Sequence, residues 1–417
     1  SLINYVLRNN LSYALPSMRE EFEFSSAELG WILAAFNYSY ALFQIPAGVV
    51  GDVYGPRRVL AIAAVGWALM TALTGFAPDL LAASATGVMV SLMVVRFGMG
   101  ILQAPMFPVS GGSLATWFPV GAWGLPNAML SAGLAIGQAL TGPLVAFLII
   151  KFGWRESFYY LAPTALLVGW WWWHYGRDQP SEHPAITAAE LEVIAANRDQ
   201  LQTNLRPHSW REVLRERDVV LLAGAYFCMN YVFIIFVQWL FTYLVEARHF
   251  SILESGLLSF LPFTVGAVLA GVGGVVCDWA CRRFGPRWGC RLAPLIGLSL
   301  VAILLIAGLY VQSPYLAVGL LSLCFGFTQF TEGSYWAAST YAAGPHTATA
   351  TGLMNTGGNL PGLLAPLFGF MIDRFGWETT ISSGSLFAIL GAVLWLMVRL
   401  QPATDEFNAR LQARAHE

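Results

Sequence analysis

Gly51-Asp52-Val53-Tyr54-Gly55-Pro56-Arg57-Arg58 interrupts a long apolar run, and 226 residues later Cys277-Asp278-Trp279-Ala280-Cys281-Arg282-Arg283-Phe284-Gly285-Pro286-Arg287 does the same. In each stretch an aspartate precedes a Gly-Pro-Arg sequence. Gly-Pro ends a helix and clustered arginines need water, so each reads as a short polar loop between two membrane helices. Two more pairs follow the same order. Arg96-Phe97-Gly98 matches Cys324-Phe325-Gly326 at an offset of 228, and Pro143 with Phe152-Gly153-Trp154 matches Pro366 with Phe375-Gly376-Trp377 at 223. Matches in one order at nearly one spacing mark two parallel halves, an arrangement that places a substrate site near the membrane midplane.

The flanking sequence agrees. The 417 residues are 57% hydrophobic and 11% charged, against about 25% charged in soluble domains. Only helices or closed barrels satisfy their backbone in lipid, and the alternating ten-residue strands of a barrel are absent. The pattern predicts twelve helices, at about 1–18, 27–52, 58–78, 86–112, 120–150, 155–175, 218–246, 254–280, 288–311, 314–343, 347–373 and 377–400. The expected fold is therefore an all-α polytopic membrane protein with twelve transmembrane helices in two pseudo-symmetric six-helix bundles. Residues 1–176 form the N-terminal bundle and 177–217 a cytoplasmic linker; 218–401 form the C-terminal bundle and 402–417 a cytoplasmic tail. In the linker, Thr187-Ala188-Ala189-Glu190 is a capping-box pattern opening a short amphipathic helix, and a second such piece runs from Ser209 to Arg217.

Charge sets the expected orientation. With the linker in the cytoplasm, that side holds fifteen of the 22 Lys and Arg residues, the other side five, and the membrane two, Arg8 and Arg96. This follows the positive-inside rule, with both termini cytoplasmic in a bacterial inner membrane. The chain begins at Ser1 inside an apolar segment, which reads as a start downstream of the natural N-terminus. The five cysteines (228, 277, 281, 290 and 324) lack zinc spacing and read as small apolar residues. The six histidines fall at segment ends or in loops, so neither a histidine relay nor a metal site is expected. No nucleophile–base pair, phosphate loop or cofactor motif appears; no enzyme activity, cofactor or nucleic-acid partner is expected.

A charged side chain at bilayer depth costs roughly 2.5–3.5 kcal/mol on insertion scales and faces a cavity or a partner. Tyr5, Arg8 and Ser12 share one helix face, and Arg96 and Gln103 share another. Two buried guanidinium groups with few acids nearby call for an anion, which Arg grips bidentately; the alternative is satisfaction by carbonyls or a structural acid. Glu332, in Phe330-Thr331-Glu332-Gly333-Ser334-Tyr335-Trp336, is the one acid at depth. It is either a proton-coupling group or half of a structural pair with an arginine. Asn37, Tyr38, Gln138, Asn230, Tyr231 and Asn359 are further polar residues that could face substrate or bond helix to helix.

Gly51-Asp52-x-x-Gly55-Pro56-Arg57-Arg58 resembles the signature loop of the major facilitator superfamily. Three stretches resemble its anion:cation symporter branch, which includes sugar-acid (galactonate-type) transporters and sialin: Tyr5-x-x-Arg8-x-Asn10-Leu11-Ser12, Tyr40-Ala41-Leu42-Phe43-Gln44-Ile45-Pro46-Ala47-Gly48, and Arg96-x-x-x-Gly100-x-x-Gln103-Ala104-Pro105-x-Phe107-Pro108. The resemblance implies a secondary transporter of a small organic anion, with protons as coupling ion and the lipid bilayer as its setting. It implies Arg8 as carboxylate ligand, Arg96 as partner of the coupling acid, and Tyr40, Ser334, Trp336 and Asn355 around the substrate. Asp52, Arg57, Arg58 and Asp278 become a cytoplasmic gate that parts as the halves rock. The chain departs from the pattern where proton-coupled members carry acids, since those positions are Leu7 and Gln103. Coupling then passes through Glu332, or the protein is an uncoupled facilitator or anion exchanger. A transporter-like membrane sensor is the reading from another class; the 41-residue linker, which holds no extra domain, argues against it.

Overall fold

The computed structural model describes residues 1–81, 84–118, 124–194, 216–343 and 347–400. The tail expected at 402–417 and residues 209–215 of the second amphipathic piece lie outside them. Every regular element described is helical: α1 (Leu2–Phe22), α2 (Ser26–Tyr54), α3 (Pro56–Leu80), α4 (Ala85–Gln103), α5 (Met106–Trp117), α6 (Gly124–Phe152), α7 (Trp154–Tyr175), α8 (Arg217–Ile234), α9 (Leu240–Glu246), α10 (Ile252–Leu258), α11 (Phe260–Tyr310), α12 (Pro314–Ala343), α13 (Thr347–Asn359) and α14 (Ala365–Met397). Among the described residues seven stretches are long and apolar enough to cross a membrane, and two of these, Ile252–Tyr310 and Ala350–Met397, are of double length. They fold back at Gly285 (φ 76°) and Gly376 (φ 80°). Helices α1, α2 and α7, rich in Asn, Tyr, Glu and Trp, complete twelve crossings. Large apolar side chains stay exposed along them, such as Leu167, Trp170, Val275 and Leu386, as a lipid-facing surface requires.

The repeat seen in the sequence is also written in the backbone. Among the described residues the glycines with left-handed φ are Gly55, Gly153, Gly285 and Gly376. They fall in two repeat-related pairs, before Pro56 and Pro286, and before Trp154 and Trp377. A left-handed residue reverses the chain between two helices at little cost only when it lacks a Cβ.

Four expected helices are interrupted, the one over 254–280 by a single turn residue, Ser259, between α10 and α11. The helix expected over 86–112 breaks after Gln103, because Pro105 and Pro108 cannot donate to the carbonyls four residues back. Beside the break, the Trp67 indole N–H donates to the Leu102 carbonyl at 2.8 Å. The helix over 218–246 contains a π-turn at Ile235–Trp239, and the one over 347–373 a 3₁₀ turn at Leu360–Leu364 around Pro361. Such irregular turns recur at functional positions in helices. Elsewhere local chemistry sets helix ends. Ser25 and Glu28 form a reciprocal capping box at the start of α2, and Thr187 and Glu190 form the same pair before a short helix over 188–194.

The helices pack into two compact units. The first gathers the described residues of Ser1–Pro207 with Phe241–Phe260 and Ala365–Asp373; the second gathers those of His208–Leu240, Leu261–Leu364 and Arg374–Glu417. Polar ties hold the two late segments in the first unit. Arg19 bonds Glu246 at 2.5 Å and also reaches the Ser26 hydroxyl. Asp373 accepts the Ser26 and Ala27 N–H groups at 3.0 and 2.9 Å, capping the first turn of α2. The core of the second unit includes Tyr226, Met229, Leu298, Tyr335 and Trp395, and Phe325 packs against the rings of Phe233, Phe236 and Phe263.

Candidate functional site

In the first unit, α1, α2 and α4 bring two arginines to one cluster of rings. The Arg8 guanidinium lies 5.5 Å from the Tyr5 ring, 5.0 Å from Phe36 and 4.9 Å from Tyr40. Arg96 lies 5.3 Å from the same Phe36 ring. Phe36 and Tyr40 are one helical turn apart on α2 and stack at 5.7 Å. Such ring faces stabilise a cation by about 0.5–2 kcal/mol each without neutralising its charge. Arg96 is anchored, because its Nη2 donates to the Arg8 carbonyl at 2.9 Å and Nη1 contacts the Met99 sulfur at 3.1 Å. Arg8 keeps its guanidinium for the rings and the Tyr40 hydroxyl, which also reaches Gln44. No carboxylate pairs with either arginine among the described residues. Arg8 is half-buried and Arg96 buried, so Arg8 offers the open face.

Close backbone approach makes this cluster. A Cβ on Gly100 would overlap the Ser39 hydroxyl and the Phe36 carbonyl, so glycine there lets α2 and α4 touch. Gly137 of α6 does the same against α1 beside Tyr5. Phe107, at the start of α5, meets the Tyr5 ring edge-on at 6.3 Å. The same helices α1 and α4 carry buried amides: both polar atoms of Asn10 and of Gln103, and the Asn4 Nδ2, have no partner among the described residues. An unmet buried polar group costs about 1–3 kcal/mol, so such groups suit a polar guest or ordered solvent. Gln103 is 1% exposed and Leu7 fully buried; neither can titrate.

The second unit holds the acid. Glu332 Oε1 accepts from the Tyr226 hydroxyl at 2.7 Å and the Trp336 indole N–H at 2.8 Å. Asn230 donates to the Tyr226 carbonyl at 3.0 Å, and Tyr335 packs on the Tyr226 ring. The sequence left open a structural pair between Glu332 and an arginine; among the described residues no arginine bonds it. Trp336 is 41% exposed, whereas Ser334, two residues away, is fully enclosed on the side of Cys277. Asn355 is half-buried, and its carbonyl takes the Asn359 amide at 2.8 Å. The Tyr231 hydroxyl is committed to Ser383, and the Asn37 amide to the Leu33 carbonyl. Tyr38 is half-buried and Gln138 buried.

At the signature loop, Arg57 turns away from Asp52. Its guanidinium donates twice to the Trp173 carbonyl, at 2.9 and 2.8 Å, and its N–H donates to Asp178 at 2.8 Å. Asp178 lies against Gly55, where a side chain would collide with its carboxylate. Arg58, Asp52 and Asp278 are exposed, and neither aspartate forms an ion pair among the described residues. Sequence reasoning missed Phe36, Tyr226 and Asp178. The first could have been found from its one-turn spacing to Tyr40; nothing in the sequence singles out the others.

Twelve crossings in two repeated halves, with arginines inside, are the architecture of a membrane transporter. The chain belongs to the Major Facilitator Superfamily, whose profile matches residues 1–366. It is 33% identical to the probable sulfoacetate transporter SauU of Cupriavidus necator over 395 residues, covering 94% of this chain and 88% of that one. It is 28% identical to the probable galactarate/D-glucarate transporter GudP of Escherichia coli, covering 89% and 85%. Among solved structures, the bacterial homolog of the human lysosomal transporter Spinster superposes with a TM-score of 0.77 at 16% identity, over 95% of this chain and 94% of that one.

Proposed function

We propose that this protein carries a small organic anion across a bacterial inner membrane by alternating access, with both termini cytoplasmic. The single observation that carries this reading is Arg8: a half-buried cation held among three aromatic rings, with no carboxylate partner among the described residues. Relatives named for sulfoacetate and for galactarate or D-glucarate support a carboxylate or sulfonate as its partner. Arg8 binds the anionic group, Arg96 holds the α1 backbone and adds positive field, and Tyr5 and Tyr40 offer hydroxyls. Trp336, Asn355 and Asn359 are further candidates for the uncharged part of the substrate, and Ser334 supports them from within. Asp52, Arg57, Arg58 and Asp278 act in gating, with Asp178 holding Arg57.

Coupling runs to protons through Glu332, which accepts from two neutral donors and bonds no arginine among the described residues. Uncoupled facilitation or anion exchange is the second reading, favoured by Leu7 and Gln103.

The test is uptake of sulfoacetate and of galactarate into proteoliposomes. Removing one charged hydrogen-bond partner costs about 1.5–3 kcal/mol, so Arg8→Ala should weaken apparent affinity about 10–100-fold. Uptake with unchanged affinity would remove Arg8 from the site; ligand binding without flux in the unaltered protein would favour a sensor.

A further inference from the structure

Three of the five cysteines meet in the second unit. The sulfurs of Cys277, Cys281 and Cys290 all lie within 4.8 Å of one another, and those of Cys281 and Cys290 are 3.5 Å apart. Linear spacing alone read them as small apolar residues; the folded chain makes them a group. Cys277 and Cys281 stand one turn apart on one face of α11. The chain then reverses at Gly285, and Gly289 presses the returning arm against the Cys281 backbone, where a Cβ would overlap it. Cys290 therefore lands opposite the first two. Cys277 and Cys290 are buried and Cys281 is half-buried, so the cluster is closed inside and reached from one side.

The fold does not need these sulfurs. The matching positions of the first half are Gly51 and Leu60, and its shorter loop has no counterpart of Cys281. The same helix reversal is thus built there without a thiol. A disulfide would use two of the three and leave the third unexplained. Soft thiolate ligands select soft ions such as Cu(I), whereas structural zinc takes four ligands and three converge here among the described residues. Metal–sulfur bonds of about 2.3 Å set three trigonal sulfurs about 4 Å apart, within reach of this cluster. Arg282, Arg283, Arg287 and Arg291 surround the loop in sequence, and Arg291 is 3% exposed with an unpaired Nε.

We propose that Cys277, Cys281 and Cys290 form a trigonal thiolate site for a soft monovalent metal ion of the Cu(I) type. Binding releases three thiol protons to solvent and forms three metal–sulfur bonds without change of oxidation state. The ion staples the two arms of α11 across the Gly285 reversal.

The experiment titrates the purified full chain, reduced and anaerobic, with Cu(I) held by a coloured competing chelator. The expected result is withdrawal of one equivalent, with three sulfur neighbours in the X-ray absorption spectrum of the unaltered protein. Cys281→Ala and Cys277→Ser should each weaken binding by about tenfold or more, while Cys228→Ser and Cys324→Ser leave it unchanged. The absorption spectrum needs no variant, so a misfolded substitution does not decide the matter. No withdrawal by the unaltered protein would overturn the proposal. So would one equivalent still bound by the Cys281→Ala, Cys290→Ser double variant, or a site that takes Zn(II) and refuses Cu(I).

Discussion

At the scale of single residues, the chemistry divides between a pair of cations and one acid. Arg8 and Arg96 share the Phe36 ring but differ in commitment: Arg96 is tied to the Arg8 carbonyl, while Arg8 is held mainly by ring faces. A cation held that way keeps its charge available to a ligand. Glu332 is bonded by the neutral donors Tyr226 and Trp336, so a change of its protonation alters a local hydrogen-bond set. Glu332→Gln should abolish pH-driven accumulation yet spare counterflow exchange. Unchanged accumulation would clear Glu332 of coupling. Gln103 is buried two turns from Arg96 on one face of α4, where an acid would be an ionisable group at membrane depth. Gln103→Glu should confer or raise proton-driven uptake, measured at two external pH values with a constant membrane potential. No difference would mean that this position plays no part.

At the scale of elements, the site depends on how closely helices approach. Gly100 lets α4 lie directly on α2 at Phe36 and Tyr40. Gly100→Ala forces a methyl group into that contact, and overpacking of this kind costs about 1–3 kcal/mol. The expected outcome is a lower melting temperature in detergent and weaker substrate affinity together, because Phe36 and Tyr40 move off the arginines. A variant with normal stability and affinity would show that the two helices part there without consequence. The break after Gln103 is a second element-scale feature. Two prolines end α4 there, and the Trp67 indole donates to the Leu102 carbonyl beside the break, leaving a short interruption next to the buried glutamine.

At the scale of the molecule, the packing units cut across the sequence halves. Phe241–Phe260 and Ala365–Asp373 come from the second half and pack in the first unit. Asp373 caps α2 and Arg19 pairs with Glu246, so these segments are held by a few directed bonds. Asp373→Ala removes a cap worth about 0.5–2 kcal/mol. It should change the maximal transport rate more than the apparent affinity, since the arginine cluster lies on other turns. An affinity change with an unaltered rate in concentration-dependent uptake would contradict that assignment.

Membrane residence, helix number, the internal repeat and the two interior arginines were legible in the amino-acid sequence. Each rests on local or periodic chemistry: hydrocarbon excludes charge and unpaired backbone, and Gly-Pro followed by arginines marks a polar turn between two membrane helices. The repeat also paired Gly55 with Gly285 and Gly153 with Gly376, the positions at which the folded chain reverses. The partners of those residues were not legible. That Arg8 meets Phe36, that Glu332 meets Tyr226, that Asp178 holds the signature loop and that three cysteines converge all depend on residues distant in sequence. Close helix packing brings them together, and linear spacing carries no record of it.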